Sequence, residues 1–192
     1  MRAQNLTEPC IEFVFGQVNN QLRSELKAFW EQNNKSYQEE LKSFRSVFSK
    51  NRKSMGLPQK AISRQPAAIS RDQSGLIDGV MFVVLQELDN SLGLGSHAYF
   101  QRMYVLPEAR RKVRGIATPL ANKLFEEFLI GFDREVEKRD HRAKVLLAEN
   151  INPALQTASM RRYFSRLGFQ MLGCNRMGSE VWCKKLKTRF YF

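Results

Sequence analysis

The spacing of apolar residues along the chain predicts alternating strands and helices. Apolar and polar residues alternate over residues 11–18 and 97–105, which is the period of a strand with one buried face. Residues 76–88 are predicted as a strand, and 79–88 are almost continuously apolar, as expected of a central strand that is covered on both faces. Between residues 21 and 50 the apolar residues recur at helical spacing, and Asn33-Asn34 divides this stretch into two predicted helices.

The rest of the pattern completes one α/β fold. Residues 50–66 are polar and basic and contain one glycine and two prolines, which predicts a loop. The sequence then predicts a strand at 67–70, a turn at 72–75, a helix from 115 to about 138, a strand at 144–148, a helix from 153 to 168, and strands at 170–174 and 181–186. The predicted order is β-αα-β-β-β-α-β-α-β-β, a mixed, mostly antiparallel central sheet of about six to seven strands flanked by helices. At 192 residues we expect a single domain spanning residues 1–192.

Residues 97–125 carry the pattern of an anion site. A strand is followed by a basic turn and by a helix that opens at Gly115. The first backbone N–H groups of a helix lack internal partners, and the helix dipole favours negative charge there. Gly115 and Ala117 keep bulky side chains away from these amides, and the flanking Arg and Lys residues add positive charge. The sequence therefore predicts a pyrophosphate site in this turn.

Two blocks of sequence resemble the GNAT acetyltransferase superfamily. Lys112, Gly115 and Ala117 fill the signature Q/R-x-x-G-x-G/A, and residues 161–173 read RRYFSRLGFQMLG before a strand that reads VWCKKL, like the later block of the family. The usual loop length would place the Q/R at Arg110, but the glycine three residues later would then be Val113. Counting from Lys112 restores the Gly-x-Ala spacing with a loop two residues longer.

The resemblance implies transfer of an acetyl group from acetyl-coenzyme A to a primary amine of a small molecule or protein, by direct attack. It places the pantetheine along strand 97–105, where the main chain of Met103 and Val105 would pair with it. Lys112 and Arg114 become candidate charge partners of the diphosphate. The amides that would meet the diphosphate are those of Val113, Arg114, Gly115, Ile116, Ala117 and Thr118.

The resemblance also directs attention to a general base. The strand positions that share one face are His97, Tyr99, Gln101, Met103 and Val105. The glutamate that some relatives carry on this strand maps to Tyr99, so this face has no carboxylate. His97 is the candidate base, since histidine commonly has this role, and the alternative is a solvated residue at the start of the strand. Three carboxylates near strand ends are further candidates: Glu87, Asp89 and Glu149.

The candidate general acid is Tyr163. The tyrosine of the family's later block maps to Phe164, and Tyr163 is one position away. The alternative is that Tyr163 is a packed helix residue and that the thiolate is protonated by another group.

The charge of the chain favours anionic partners. Its 31 Lys and Arg against 19 Asp and Glu give a net charge of +12, which suits coenzyme A but does not select it. A related scaffold that takes its acyl group from an acidic acyl carrier protein is one alternative. Another is a non-catalytic module that binds nucleic acid or an acidic protein, and both rank below the acetyltransferase.

Cysteine and histidine usage bears on the compartment and on metals. Three cysteines in no paired spacing indicate a reducing setting, and residues 1–30 show no signal-peptide pattern, so a cytoplasmic location is expected. With two histidines and no cysteine pair, we expect no metal. No apolar run reaches the roughly 20 residues of a membrane span, so no membrane insertion is expected. The sequence leaves the oligomeric state open, and the resemblance makes a homodimer one of the possibilities.

Overall fold

Helices and strands alternate along the chain in the computed structural model. The structure describes residues 10–47, 60–89, 92–110, 119–175 and 178–187. In chain order the elements are β1 (Cys10–Phe13), α1 (Asn20–Val47), β2 (Lys60–Arg71), β3 (Ile77–Glu87), β4 (His97–Val105), α2 (Leu120–Arg134), β5 (Ala143–Asn150), a 3₁₀ helix (Pro153–Gln156), α3 (Ala158–Arg166), β6 (Gln170–Cys174) and β7 (Glu180–Lys185).

The strands form one mixed sheet. Its seven strands lie in the order β1-β2-β3-β4-β5-β7-β6. β4 and β5 are parallel, whereas β1 with β2, β5 with β7 and β6 with β7 are antiparallel. Parallel neighbours require a crossover connection, and the chain between β4 and β5 contains helix α2. The predicted α/β class with a mixed sheet is confirmed.

Two predicted boundaries near the start of the chain are wrong. α1 is one helix of 28 residues rather than two, because asparagine lowers helix propensity by only a fraction of a kcal/mol and the helix contains neither Gly nor Pro. Strand β1 stops at Phe13 rather than at residue 18, since the chain turns at Gly16 with φ of 67° and the Gln17 amide donates to the Val14 carbonyl at 3.0 Å.

Two further boundaries also differ from the prediction. β2 begins at Lys60, so the predicted loop is wrong for residues 60–66. The side chains of 61–64 are exposed, and an exposed strand does not need the apolar alternation by which a strand is recognised. The helix predicted from 153 to 168 is two helices, because Asn152 caps the 3₁₀ helix and Thr157 caps α3 through its hydroxyl. Gly168 does end this region, with φ of 85°.

The described parts of residues 1–31, 65–82 and 103–138 form one compact unit. Its interior is aromatic: Phe15 meets Phe132 edge to face at 5.1 Å between ring centroids, and Phe132 lies 5.2 Å from Phe128. Helix α2 comes close to strand β1 at Gly131, where an added Cβ would overlap the Phe13 ring. Glycine at this position therefore sets how closely the helix approaches the strand.

The described parts of residues 32–64, 83–102 and 139–192 form a second compact unit. One cluster of its buried residues consists of Leu88, Ala98, Phe100, Val145, Leu147 and Cys183. A separate aromatic group forms where Phe164 of α3 stacks on Trp182 of β7 at 5.5 Å. Within the described ranges, no helix has the length and apolar character to cross a bilayer. The single domain expected over 1–192 stays a prediction.

Replacing Gly131 with Ala should destabilise the protein. The new methyl would overlap the Phe13 ring near its Cγ, so the ring itself must move. Overpacking of this kind costs about 1–3 kcal/mol, which exceeds the roughly 1 kcal/mol that Ala gains over Gly in a helix. Ile130→Ala, at a neighbouring position that is 45% exposed, is the control and should change the free energy of unfolding by about 0.5 kcal/mol or less. Urea denaturation of both variants checks this, and a Gly131→Ala protein as stable as the unsubstituted one would contradict it.

Candidate active site

The parallel strands β4 and β5 pair over only part of their length. Their register runs from His97 with Ala143 to Gln101 with Ala148. β4 continues to Val105, and β5 continues to Asn150 while still paired with β7, where Asn150 lies opposite Glu180. In the part of the chain that the structure describes, the β4–β5 ladder thus ends before either strand does. Strands that part in this way expose backbone N–H and C=O groups along their facing edges.

One side chain at this point has an unused polar atom. Gln101, in the last ladder pair, is partly buried, and its Oε1 is buried with no hydrogen-bond partner among the described residues. A buried acceptor without a partner costs about 1–3 kcal/mol, so such an atom calls for an explanation. A ligand N–H that reaches the end of the ladder would satisfy it.

Arg102, Glu149 and Asn175 form a charged group on the face of the sheet opposite Gln101. Arg102 Nη2 donates to Glu149 Oε2 at 2.8 Å, and the side chains are 25% and 18% exposed. Asn175 Nδ2 donates to the other carboxylate oxygen, while Asn175 Oδ1 accepts from the Ser179 amide at 3.0 Å. Because side chains alternate along a strand, Glu149 lies on the face opposite Gln101 and its partner Ala148. Polar groups therefore flank both faces where the two strands part.

His97 lies at the other end of the β4–β5 ladder. It is 7% exposed, so the alternative of a solvated histidine is wrong. Its Nδ1 is 2.9 Å from Ser96 Oγ, and its buried Nε2 has no partner among the described residues. Four residues of strand, or about 13 Å, separate it from Gln101. Its role as general base stays a prediction.

Tyr99 has a structural hydrogen bond. Its ring is 2% exposed, and its hydroxyl accepts from the Asp140 amide at 2.8 Å. Burial raises the pKa of Tyr99 above its ordinary value. The phenol is therefore protonated at neutral pH and cannot replace the carboxylate that relatives carry at this position. Its assignment to catalysis has no support in these contacts.

Phe164, the residue at the tyrosine position of the later block, packs in the core. Phe164 is 4% exposed and meets Phe169 edge to face at 5.7 Å, in addition to its stack on Trp182. Tyr163 is half-buried, with its ring 5.9 Å from that of Phe164. Tyr163 therefore keeps some access to solvent, whereas Phe164 cannot supply a proton. The role of Tyr163 as general acid stays a prediction.

The predicted binding residues are described only in part. Met103 is half-buried and Val105 is 3% exposed. The Val105 carbonyl accepts from Arg110 Nε at 2.7 Å, and the Arg110 guanidinium lies 5.5 Å from the Tyr104 ring centroid. Arg110 thus uses the carbonyl that was expected to pair with pantetheine. The predicted phosphate-binding residues lie outside the described residues: Lys112, Val113, Arg114, Gly115, Ile116, Ala117 and Thr118.

Comparison with known proteins gives similar solved structures but no matching family. No protein-family model matches the chain, and no curated protein matches it. Among solved structures, a GNAT-family acetyltransferase from Staphylococcus aureus Mu50 is similar with 13% identity, covering 94% of this chain and 100% of that one at a TM-score of 0.44. A phosphinothricin acetyltransferase from Sinorhizobium meliloti, in complex with AcCoA, is similar with 17% identity over 62% of this chain and 60% of that one, at a TM-score of 0.40. Nourseothricin acetyltransferase is similar with 16% identity over 66% and 67%, at a TM-score of 0.36.

The order of elements around the parallel β4–β5 pair is the order that the resemblance to GNAT enzymes predicts. At these TM-scores the solved structures carry no argument about this chain. Within the described ranges, no group of three or more His, Cys, Asp and Glu side chains is placed to hold a metal ion.

Sequence reasoning missed most of the charged group around Glu149. Arg102 is 47 positions and Asn175 is 26 positions from Glu149, so no local spacing connects them. A second buried group was missed in the same way: Glu180, 2% exposed, accepts from Arg161 Nη2 at 2.6 Å and from Trp182 Nε1 at 3.1 Å. The tertiary fold, rather than local spacing, brings these residues together.

The ion pair near the start of β5 should make stability depend on acid pH. Arg142 bonds both Asp140 oxygens, with Nη2 at 2.6 Å from Oδ2, and lowers the pKa of Asp140 to about 2 from 3.8. A carboxyl with a lowered pKa in the folded state stabilises the protein fully above its unfolded pKa, and this contribution is lost as the pH falls through about 2. Asp140→Asn should therefore be less stable than the unsubstituted protein at pH 6, and the difference should shrink towards pH 2. Urea denaturation across this range measures it, and Asp140→Asn with Arg142→Ala together should add little to either change. A difference that stays constant with pH would contradict the assignment.

Proposed function

We propose that the protein is an acyltransferase that moves an acetyl group from acetyl-coenzyme A to a primary amine by direct attack. The observation that carries the proposal is the end of the β4–β5 ladder at Gln101 and Ala148, together with the partnerless Gln101 Oε1. The point where two parallel strands part can take a narrow, extended ligand. Pantetheine is such a ligand, because it is a flexible chain with two amide groups.

Pantetheine would bind as an added strand. An extended chain with amides can hydrogen-bond to an exposed strand edge, and this needs main-chain groups rather than particular side chains. Gln101 Oε1 would accept from one pantetheine N–H and lose its unsatisfied state. The assignment of oxygen and nitrogen in an amide side chain can be exchanged, but either orientation offers one polar atom to the ligand.

The charged end of the donor would be held by the turn at 112–118. This part of the proposal rests on the sequence, where Gly115 and Ala117 leave the helix amides accessible and Lys112 and Arg114 add charge. The net charge of +12 raises the local concentration of a polyanion such as coenzyme A.

The chemical steps are those of aminolysis of a thioester. The amine nitrogen attacks the carbonyl carbon, the C–S bond breaks and the sulfur leaves with the electron pair. Tyr163, half-buried on α3, is the proposed proton donor to that sulfur. Phe164 occupies the position at which the resemblance expects a tyrosine, so the proton must come from a neighbouring group or from water.

Acetyl-coenzyme A should raise the melting temperature of the protein. A ligand at 100 times its Kd adds about 2.7 kcal/mol, which corresponds to a rise of roughly 5–10 °C for a chain of this size. Gly115→Asp puts a carboxylate in the predicted phosphate turn and should abolish the rise, whereas Gln32→Glu, which adds a negative charge on the exposed side of α1, should keep it. No rise in the unsubstituted protein at millimolar ligand would count against the proposal. Titration with DNA and with an acyl carrier protein would then decide between the alternatives.

Gln101→Leu should weaken coenzyme A binding without loss of stability. Leu removes one hydrogen bond to the ligand, worth about 1 kcal/mol, so the Kd should rise roughly 5- to 10-fold in calorimetric titration. Removing an unsatisfied buried oxygen should leave the free energy of unfolding unchanged or higher. Gln86→Leu is the matched control, because Gln86 on β3 also has a buried Oε1 with no partner among the described residues. Gln86 is two residues from Leu88, whose amide donates to the Ser96 carbonyl just before β4 begins, so it is near the end of β4 opposite to Gln101. An unchanged Kd in Gln101→Leu, or an equal change in both variants, would remove Gln101 from the binding site.

A further inference from the structure

We infer that Glu149 on β5 binds the ammonium group of the acceptor and takes its proton, with Arg102 and Asn175 holding the carboxylate in place. The inference rests on the proposed function, since it assigns the acceptor side of the same site. It makes the acceptor an amine that arrives protonated, and it moves the general base from strand β4 to strand β5.

The position of Glu149 is the first support. It directly follows Ala148, the last β5 residue that pairs with β4. A thioester held where the strands part would therefore lie within one residue of this carboxylate along β5. Gln101 is on one face and Glu149 on the other, so the donor and the acceptor would approach from opposite faces.

The hydrogen bonding of Glu149 is the second support. Each carboxylate oxygen accepts one bond from the described residues, from Arg102 Nη2 and from Asn175 Nδ2. An ionised carboxylate has about four acceptor sites, so capacity remains for an ammonium donor. The carboxyl is also 18% exposed, which gives the proton a route to water.

The fixed orientation of Asn175 is the third support. Its Oδ1 accepts from the Ser179 amide and its main chain is bonded to Ser179 and Gly178, so its Nδ2 must point away from these groups. A simple ion pair with Arg102 would not need a second donor locked by a turn. Two donors on separate elements fix the rotamer of Glu149, which suits a group that must meet a reacting atom.

The other carboxylates and the histidine are less well placed. Glu180 is 2% exposed, with both oxygens used by Arg161 and Trp182. Glu87 is exposed at the end of β3. His97 lies at the opposite end of the ladder, about 13 Å along the strand from Gln101.

The proposed acyl transfer conserves atoms and charge. The ammonium gives one proton to the Glu149 carboxylate, and the neutral amine attacks the thioester carbon with its lone pair. The C–N bond forms, the C–S bond breaks, Tyr163 gives its proton to the thiolate, and the second proton of the nitrogen restores the phenol. Glu149 then releases its proton to water, so the products are the acetylated amine, the coenzyme A thiol and one proton.

Two small nucleophiles distinguish this role from a structural one. Ethylamine is protonated at pH 7.5 and needs a base, whereas hydroxylamine is neutral and does not. With acetyl-coenzyme A as donor, Glu149→Gln should lower kcat/KM for ethylamine by about 10²- to 10⁴-fold and lower the value for hydroxylamine far less. The Kd for coenzyme A should not change. Equal losses with both nucleophiles, or no loss, would overturn the inference.

Matched variants complete the experiment. Asn175→Ala should give a smaller loss with the same preference for hydroxylamine, because Asn175 affects the reaction by orienting Glu149. Glu127→Gln, at an exposed position of α2, should leave both rates unchanged. If Glu149→Gln does not fold, Glu149→Asp keeps the charge beside Arg102 and should still lose more activity with ethylamine than with hydroxylamine. Failure of the unsubstituted protein to bind coenzyme A would instead refute the proposed function, which separates the two outcomes.

Discussion

The parallel pairing of β4 with β5 is the constraint on which the rest of the site depends. Parallel strands begin at the same edge of a sheet and end at the same edge, so whatever follows the ladder on each strand is brought together. The ladder ends at Gln101 and Ala148, and β5 goes on along β7. A one-residue shift of either strand would turn the side chains of that strand to the other face of the sheet, so Gln101 and Glu149 would no longer lie on opposite faces. Register, rather than any single side chain, positions the site.

Much of the fold could be predicted from the sequence because burial leaves a periodic trace. The strand at 97–105 was visible since its apolar residues follow the pleat, and the strand at 77–87 was visible since it is almost continuously apolar. The stop at Gly168 was visible since glycine accepts a positive φ. Residues 61–64 left no such trace, because their side chains are exposed. Asn33-Asn34 misled for a related reason: a weak local preference is overridden when the helix around it packs.

The site was predictable only where its residues are neighbours in sequence. The phosphate turn has a local spacing, and a spacing can be compared with a family signature. The group of Arg102, Glu149 and Asn175 comes from three strands or strand ends and has no such spacing. Tyr99 shows the opposite case, in which the correct strand face was identified but the hydroxyl is bonded to the Asp140 amide. Periodicity predicts the face of a side chain, but it does not predict the partner.

The link between Arg161 and Glu180 has a practical consequence for chemical labelling. The guanidinium is 51% exposed while the carboxylate it neutralises is 2% exposed, so a reagent in solvent can reach the positive half of the pair. A dicarbonyl that modifies arginine would leave an uncompensated anion beside the indole of Trp182 and loosen α3 from β7. Inactivation by such reagents would then report lost architecture, so it could not be assigned to arginines that contact the donor.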